Sequence, residues 1–108
     1  MCAGARVEKV ALSGLSFSPC LECGGCDNSG VCVLRDDLEP LYGKIGSADA
    51  LVVASPIFFG SVSAQMKMLI DRFQCRWVAK YVLGSKRAAK KKRKGIFLSV
   101  AGDRSWLI

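Results

Sequence analysis

Short apolar runs alternate along the chain with stretches of helical periodicity. Val7 to Leu12 (VEKVAL) mixes β-branched and apolar residues with polar ones, and Gly14, Ser16, Ser18 and Pro19 close it off. That pattern predicts a short strand with an exit loop. In Asp36-Asp37-Leu38-Glu39 an Asp stands three residues ahead of a Glu, as in a capping box, and Leu38, Leu41, Tyr42 and Ile45 then follow a helical spacing. Pro40 suits a first helical turn, so a short amphipathic helix is expected, weakened by Gly43 and Gly46. Ala50 to Ala54 (ALVVA) is a continuous apolar run of strand length, the signature of a parallel strand covered on both faces. From Ser61 or Ser63, either a plausible cap, a second helix is predicted to about Trp77, burying Met66, Leu69, Ile70, Phe73 and Trp77. Gly95 to Val100 (GIFLSV) is a third strand candidate, ended by Ala101-Gly102.

Strands alternating with helices predict an α/β fold with a parallel sheet, in which ligands gather beyond the carboxyl ends of the strands. Two segments then hold the candidate binding loops, 55–61 and 101–105. No internal repeat interrupts this order.

Length and charge refine the picture. At 108 residues the chain has room for one domain or part of one, and 51% hydrophobic content is enough to build a core. The net charge of +7 is concentrated: Lys86, Arg87, Lys90, Lys91, Lys92, Arg93 and Lys94 lie in one acid-free connector, while the rest carries nine bases against nine acids. Such a run reads first as a solvated connector and argues against a broadly basic nucleic-acid-binding surface. It would also serve as a docking patch for an acidic redox partner. The longest apolar run, 50–60, is broken by Ser55 and Pro56 and falls short of a membrane span. No signal-peptide pattern opens the chain, which leads to the expectation of a soluble, cytoplasmic protein in a reducing compartment.

That compartment directs the reading of six cysteines toward ligands rather than disulfides. Cys20, Cys23, Cys26 and Cys32 form a compact C-x2-C-x2-C-x5-C group threaded with Gly24, Gly25 and Gly30, and the chain has no His. Four thiolates on one flexible loop suit an iron-sulfur cluster, 4Fe-4S, whereas structural zinc usually takes two ligand pairs set a dozen or more residues apart. Zinc, a redox loop and incidental thiols are the alternatives. Cys2 lies near a terminus, and Cys75 on the second helix reads as a small buried hydrophobe.

Ser55-Pro56-Ile57-Phe58-Phe59-Gly60-Ser61 leaves a strand and enters a helix, with a fixed turn, aromatic surface and hydroxyls. Such a loop can hold a flat ring against its backbone, and it can equally be a turn whose aromatics pack inward.

The run SPIFFGSVSAQMKMLIDR, preceded by ADALVVA and by the cysteine loop with RDDLEPLY, resembles the NADPH-dependent FMN reductase-like group of flavodoxin-fold proteins, and within it the iron-sulfur flavoproteins. The resemblance runs from Val7 to Trp106. It implies a flavodoxin-like three-layer parallel sheet, seen here incompletely as three strands and two helices in a single partial domain, 1–108. It further implies an FMN-dependent oxidoreductase or electron-transfer protein in which a 4Fe-4S cluster on Cys20, Cys23, Cys26 and Cys32 exchanges electrons with the flavin. By matching position, Ser55, Pro56, Ile57, Phe58, Gly60 and Ser61 would line the flavin ring, with Ala101 and Gly102 in the loop after the last visible strand. Many relatives carry Tyr at the position of Phe58, so a phenol hydrogen bond would be lost while ring packing survives. NAD(P)H is the implied reductant, and a redox protein or small molecule the implied acceptor.

The family opens with a strand and a hydroxyl-rich loop that holds the FMN phosphate, and nothing in Met1 to Arg6 supplies it. The expectation is therefore a fragment-like member whose strand at Val7–Leu12 lacks its neighbour, leaving edges for homo-oligomerisation or completion by another chain. The rival reading is a zinc-stabilised nucleic-acid-binding or interaction module using Lys86 to Lys94, or a non-functional fragment. No catalytic acid or base stands out, and Asp103 and Arg104 read as a solvated loop pair.

Overall fold

In the computed structural model, which describes residues 2–84 and 92–102, the chain's regular elements begin with α1, Leu38–Ser47. Strand β1 spans Ala50–Pro56, α2 spans Ala64–Arg72, α3 spans Gln74–Trp77, and β2 spans Lys94–Val100. A π-helical turn, Val78–Val82, extends α3. The connector residues 86–91 and the pair Asp103 and Arg104 lie outside the described residues.

β1 and β2 pair in parallel, from Ala50 opposite Lys94 to Pro56 opposite Val100. This is the crossover arrangement expected from strands alternating with helices. Because the strands end in register, the two candidate binding loops leave the sheet side by side, and Ile57 N–H donates to Val100 O at 3.0 Å.

The segment Val7 to Leu12 is not a strand. Residues 5–11 carry no regular structure, and Leu12–Gly14 forms a 3-10 turn. A strand persists through its ladder, and among the described residues the strand ladder consists of β1 and β2 alone. The apolar run of β1 is likewise less buried than its composition predicts: Leu51 is 37% and Val52 54% exposed, and every residue of β2 is exposed. A two-stranded sheet has too little of either face covered to bury a continuous apolar run.

The second helix begins where Ser63 predicts, with its hydroxyl accepting Met66 N–H at 3.2 Å. It does not run unbroken to Trp77. Arg72 O leaves the helical ladder and accepts instead from the Tyr42 hydroxyl at 2.8 Å and from the Cys75 thiol at 3.5 Å. The helix therefore breaks at Phe73, an interruption with an identifiable side-chain cause. The expected buried face holds only in part: Met66 is buried and Leu69 and Phe73 are half-buried, but Ile70 within α2 and Trp77 beyond the break are about half exposed at 49% and 52%. Arg72, Cys75 and Val78 take the interior positions.

The core sits between α1 and this broken helix, around Leu38, Leu41, Met66, Cys75 and Val78. Tyr42 packs edge-on against Phe73 with ring centroids 5.4 Å apart. At the other end of α1, Arg93 Nη1 donates to Ile45 O at 3.1 Å.

Candidate functional site

Two carboxylates organise the segment preceding α1, and one of them, Asp36, pins it to α2. Asp37 accepts Ser16 N–H at 2.6 Å, and Asp36 accepts from Ser18 N–H and Leu38 N–H. Asp36 thus satisfies the first turn of α1 while its neighbour Asp37 occupies the cap position without a side-chain cap bond. Arg72 completes the arrangement. Its guanidinium donates to Asp36 Oδ2 at 2.6 Å and Oδ1 at 3.2 Å, and to Ser18 O at 2.9 Å, just ahead of the first cysteine.

This fork-on-carboxylate contact holds the Asp36 carboxyl below its usual range, against the opposing effect of burial. Burial also works against the charge on Arg72, but the bonds to Asp36 outweigh it and the guanidinium's pKa is shifted upward. Arg72 is 1% exposed and stays ionised.

Cys20, Cys23, Cys26 and Cys32 all line one cavity of about 320 Å³. Arg72, Gln74 and Cys75 line the same cavity from the helical side. Its volume lies at the lower end of the roughly 300–1,000 Å³ usual for ligand sites. The loop is docked by glycine. Gly30 has φ +68, and a Cβ there would meet Ala79 Cβ at 2.5 Å, so only glycine lets the loop lie against the π-helical turn. Gly25 is constrained by space alone, since a Cβ would come within 2.7 Å of the Val33 side chain. These glycines, read in the sequence as flexibility, serve close approach.

Cys20 and Cys23 are exposed at the rim, Cys26 and Cys32 half-buried, and Cys75 buried. Burial pushes the Cys26 thiol up, and Cys75 and the Asp27 carboxylate add to the shift. Among the described residues no three metal-ligating side chains converge on one point. A cubane differs from a single ion in this respect, because each thiolate binds its own corner iron and the four sulfurs surround a volume. Four thiols around one cavity, with no His in the donor set, fit that demand.

At the carboxyl ends of the strands, Ser55 is buried, Ile57 half-buried, and Pro56, Phe58, Gly60 and Ser61 exposed. Phe58 and Ser61 exchange N–H···O bonds of 2.9 and 3.0 Å, which closes a tight turn with Phe59 at φ 51 and Gly60 at φ 75. The turn thrusts Phe58 and Phe59 outward, 60% and 96% exposed, so these aromatics do not pack inward. Ala101 and Gly102 follow Val100, whose carbonyl accepts Ile57 N–H where this turn begins, and a Cβ at Gly102 would meet nothing within 4 Å. The two loops thus offer flat apolar rings and open backbone on one edge of the sheet, which fits a planar ring system.

Two cavity residues escaped the sequence reading. Cys75 is the small buried hydrophobe that its helix position predicts, and it also lines the thiol cavity. Arg72 carried a signal: it continues the three-residue step from Met66 and Leu69 into the interior, where a cation needs a partner, and Asp36 was available upstream.

Residues 1–106 match the NADPH-dependent FMN reductase family. The chain belongs to that family. The fold is accordingly flavodoxin-like, with β1 and β2 as parallel strands of its sheet. An iron-sulfur flavoprotein of Methanosarcina thermophila is 35% identical over 102 residues, covering 94% of this chain and 50% of the relative. An iron-sulfur flavoprotein of Methanocaldococcus jannaschii is 39% identical over 69 residues, covering 64% of this chain and 36% of that protein. One from Archaeoglobus fulgidus is 44% identical over 69 residues, covering 64% and 31%. The chain spans half or less of the length of these curated relatives. No solved structure matches it significantly. Among the described residues no helix is long and apolar enough to cross a membrane.

Proposed function

We propose that this chain is the cysteine-bearing part of an FMN-dependent oxidoreductase or electron-transfer protein, with a 4Fe-4S cluster held by Cys20, Cys23, Cys26 and Cys32. The observation that carries the reading is the gathering of all four thiols around one cavity in a chain of the FMN reductase family. The names of the relatives support the same pairing of cofactors.

A bound cluster supplies one-electron chemistry and a flavin hydride chemistry, and the protein's task is to place and tune them. Cys20 and Cys23 would bind from the exposed rim, Cys26 and Cys32 from the half-buried side. Gly30 presses the loop onto Ala79, which fixes the position of Cys32 two residues on. Arg72 anchors the start of the loop through Ser18 O. At the strand ends, Ser55 shapes the loop from within, while Pro56, Ile57, Phe58, Gly60 and Ser61 would present rings and backbone to the flavin, with Ala101 and Gly102 opposite. NAD(P)H is the reductant that the family description suggests. The remaining assignments, a cytoplasmic setting and a redox protein or small molecule as acceptor, belong to the same proposal.

The test is the visible spectrum and the iron and flavin content of the anaerobically reconstituted chain. Broad iron-sulfur absorption with four irons per chain, and a flavin band on adding FMN, are expected. A colourless protein that binds one zinc ion would overturn the reading in favour of the zinc-stabilised module.

A further inference from the structure

The charged side chains around the thiol cavity are unevenly matched. Glu22, Asp27 and Arg72 line it together with the cysteines. Arg72 spends its charge on Asp36, at 2.6 Å. Among the described residues no ion pair engages Glu22 or Asp27, so the cavity wall carries negative charge that no cation there offsets.

Of the two carboxylates, Asp27 is the one whose place is fixed. Its backbone N–H donates to Gly24 O at 3.1 Å, closing a turn over residues 24–27 in the middle of the cysteine loop. A Cβ at Gly24 would meet Asp27 Oδ2 at 3.2 Å, so the carboxylate folds back over Gly24, itself a residue of the cavity wall. The charge is also felt at a ligand, since the Asp27 carboxylate adds to the upward shift that burial and Cys75 impose on the Cys26 thiol. Asp27 remains exposed, so water and ions reach the same carboxylate.

We infer that Asp27 is a potential-setting residue of the cysteine site, its carboxylate holding the bound cluster at a lower reduction potential than the four cysteines alone would give. This rests on the cluster reading above and adds a residue that the ligand spacing does not reveal. A cluster on four thiolates gains one further negative charge when it is reduced, and a fixed anion beside it opposes that gain. Arg72, already matched by Asp36, leaves the opposition in place. The charge sits at an open surface, so dissolved salt screens it, whereas a change in loop packing would be indifferent to salt.

The test is the midpoint potential of the full chain with its cluster reconstituted, read by electron paramagnetic resonance of the reduced cluster during a redox titration. Asp27→Asn removes the charge at nearly the same shape, and it should shift the potential to more positive values at unchanged iron content. Asp27→Glu keeps the charge and should stay near wild type. The gap between wild type and Asp27→Asn should narrow on going from 0.01 M to 1 M salt, as the screening length falls from about 30 Å to about 3 Å. An Asp27→Asn protein with wild-type iron and wild-type potential at low salt overturns the inference and leaves the cluster reading standing. So does a gap of equal size at both salt concentrations, or an Asp27→Glu protein that shifts as far as Asp27→Asn. If Asp27→Asn loses its iron, Asp27→Ser is titrated in its place, and loss of iron from both makes Asp27 a structural residue and overturns the inference. A wild-type protein that takes up no iron overturns both readings.

Discussion

The Ser55 hydroxyl accepts the backbone N–H of Ser63 at 2.9 Å, joining the end of β1 to the cap of α2 across the turn that carries Phe58 and Phe59. The same hydroxyl donates to Pro56 O at 3.1 Å, and Ser55 is 5% exposed. Its hydrogen-bonding capacity is thus used inside the protein, and it sets the span of the loop while the exposed residues meet any ligand. Ser55→Ala leaves a half-buried amide without an acceptor, which costs about 1–3 kcal/mol. Chemical denaturation should register that loss, and an unchanged midpoint would refute the role.

Phe58 makes the complementary prediction. It is exposed and contributes little to the core, so Phe58→Ala should leave the melting temperature unchanged. If the ring stacks on a flavin, its removal costs about 0.5–1.5 kcal/mol, or roughly 2- to 12-fold in FMN affinity. Fluorescence titration with FMN measures this directly. Equal affinities in the two proteins would remove Phe58 from the flavin site.

Much of this arrangement was legible in the residues, and the reasons differ by element. The Ser63 cap, the helix at Leu38 and the strand at Ala50 rest on local chemistry, so they appeared where the sequence placed them. The gathering of four thiols was legible because their spacing is short enough for one loop. Val7–Leu12 failed because a strand needs a neighbour that no local pattern guarantees. The helix break at Phe73 was hidden because its cause, capture of Arg72 O by Tyr42, joins residues thirty positions apart. The exposure of Trp77 follows from that break.

Asp36 and Arg72 make stability depend on acidity. The Asp36 carboxyl titrates lower in the folded protein than in the unfolded chain, chiefly because Arg72 donates to it. Its contribution is therefore complete above about pH 4, the unfolded value, and is lost as pH falls through the lower folded value. Asp36→Ala removes this acid dependence and strands a buried cation, a loss of about 3–5 kcal/mol. Urea midpoints at pH 7 and pH 3 should converge for the variant relative to wild type. A parallel acid dependence in both proteins would assign it to other carboxylates.

The thiols divide by position. Substituting Cys20, Cys23, Cys26 or Cys32 with Ser should reduce bound iron after reconstitution, while Cys75→Ala should leave it intact. Cys75 uses its thiol in a weak bond to Arg72 O, and it is 3% exposed as part of the core. The expected cost of Cys75→Ala is accordingly one of packing, about 1 kcal/mol. Iron assays across the five variants decide the matter. Loss of iron in Cys75→Ala with full retention in one of the other four would exchange their roles.

The uncovered sheet predicts association. Val52, Ile96, Phe97, Leu98 and Val100 are 52–77% exposed, on two adjacent strands whose outer edges carry no ladder among the described residues. Apolar strands in this state pair with further strands or bury their faces against another surface. The purified chain should therefore elute as a dimer or larger species at micromolar concentration. Phe97→Lys places a charge on that surface at a position 54% exposed and outside the core. The variant should shift toward monomer with its cysteine cavity intact, read by light scattering alongside thiol titration. A wild-type chain that stays monomeric across that range would rule out self-association through the sheet.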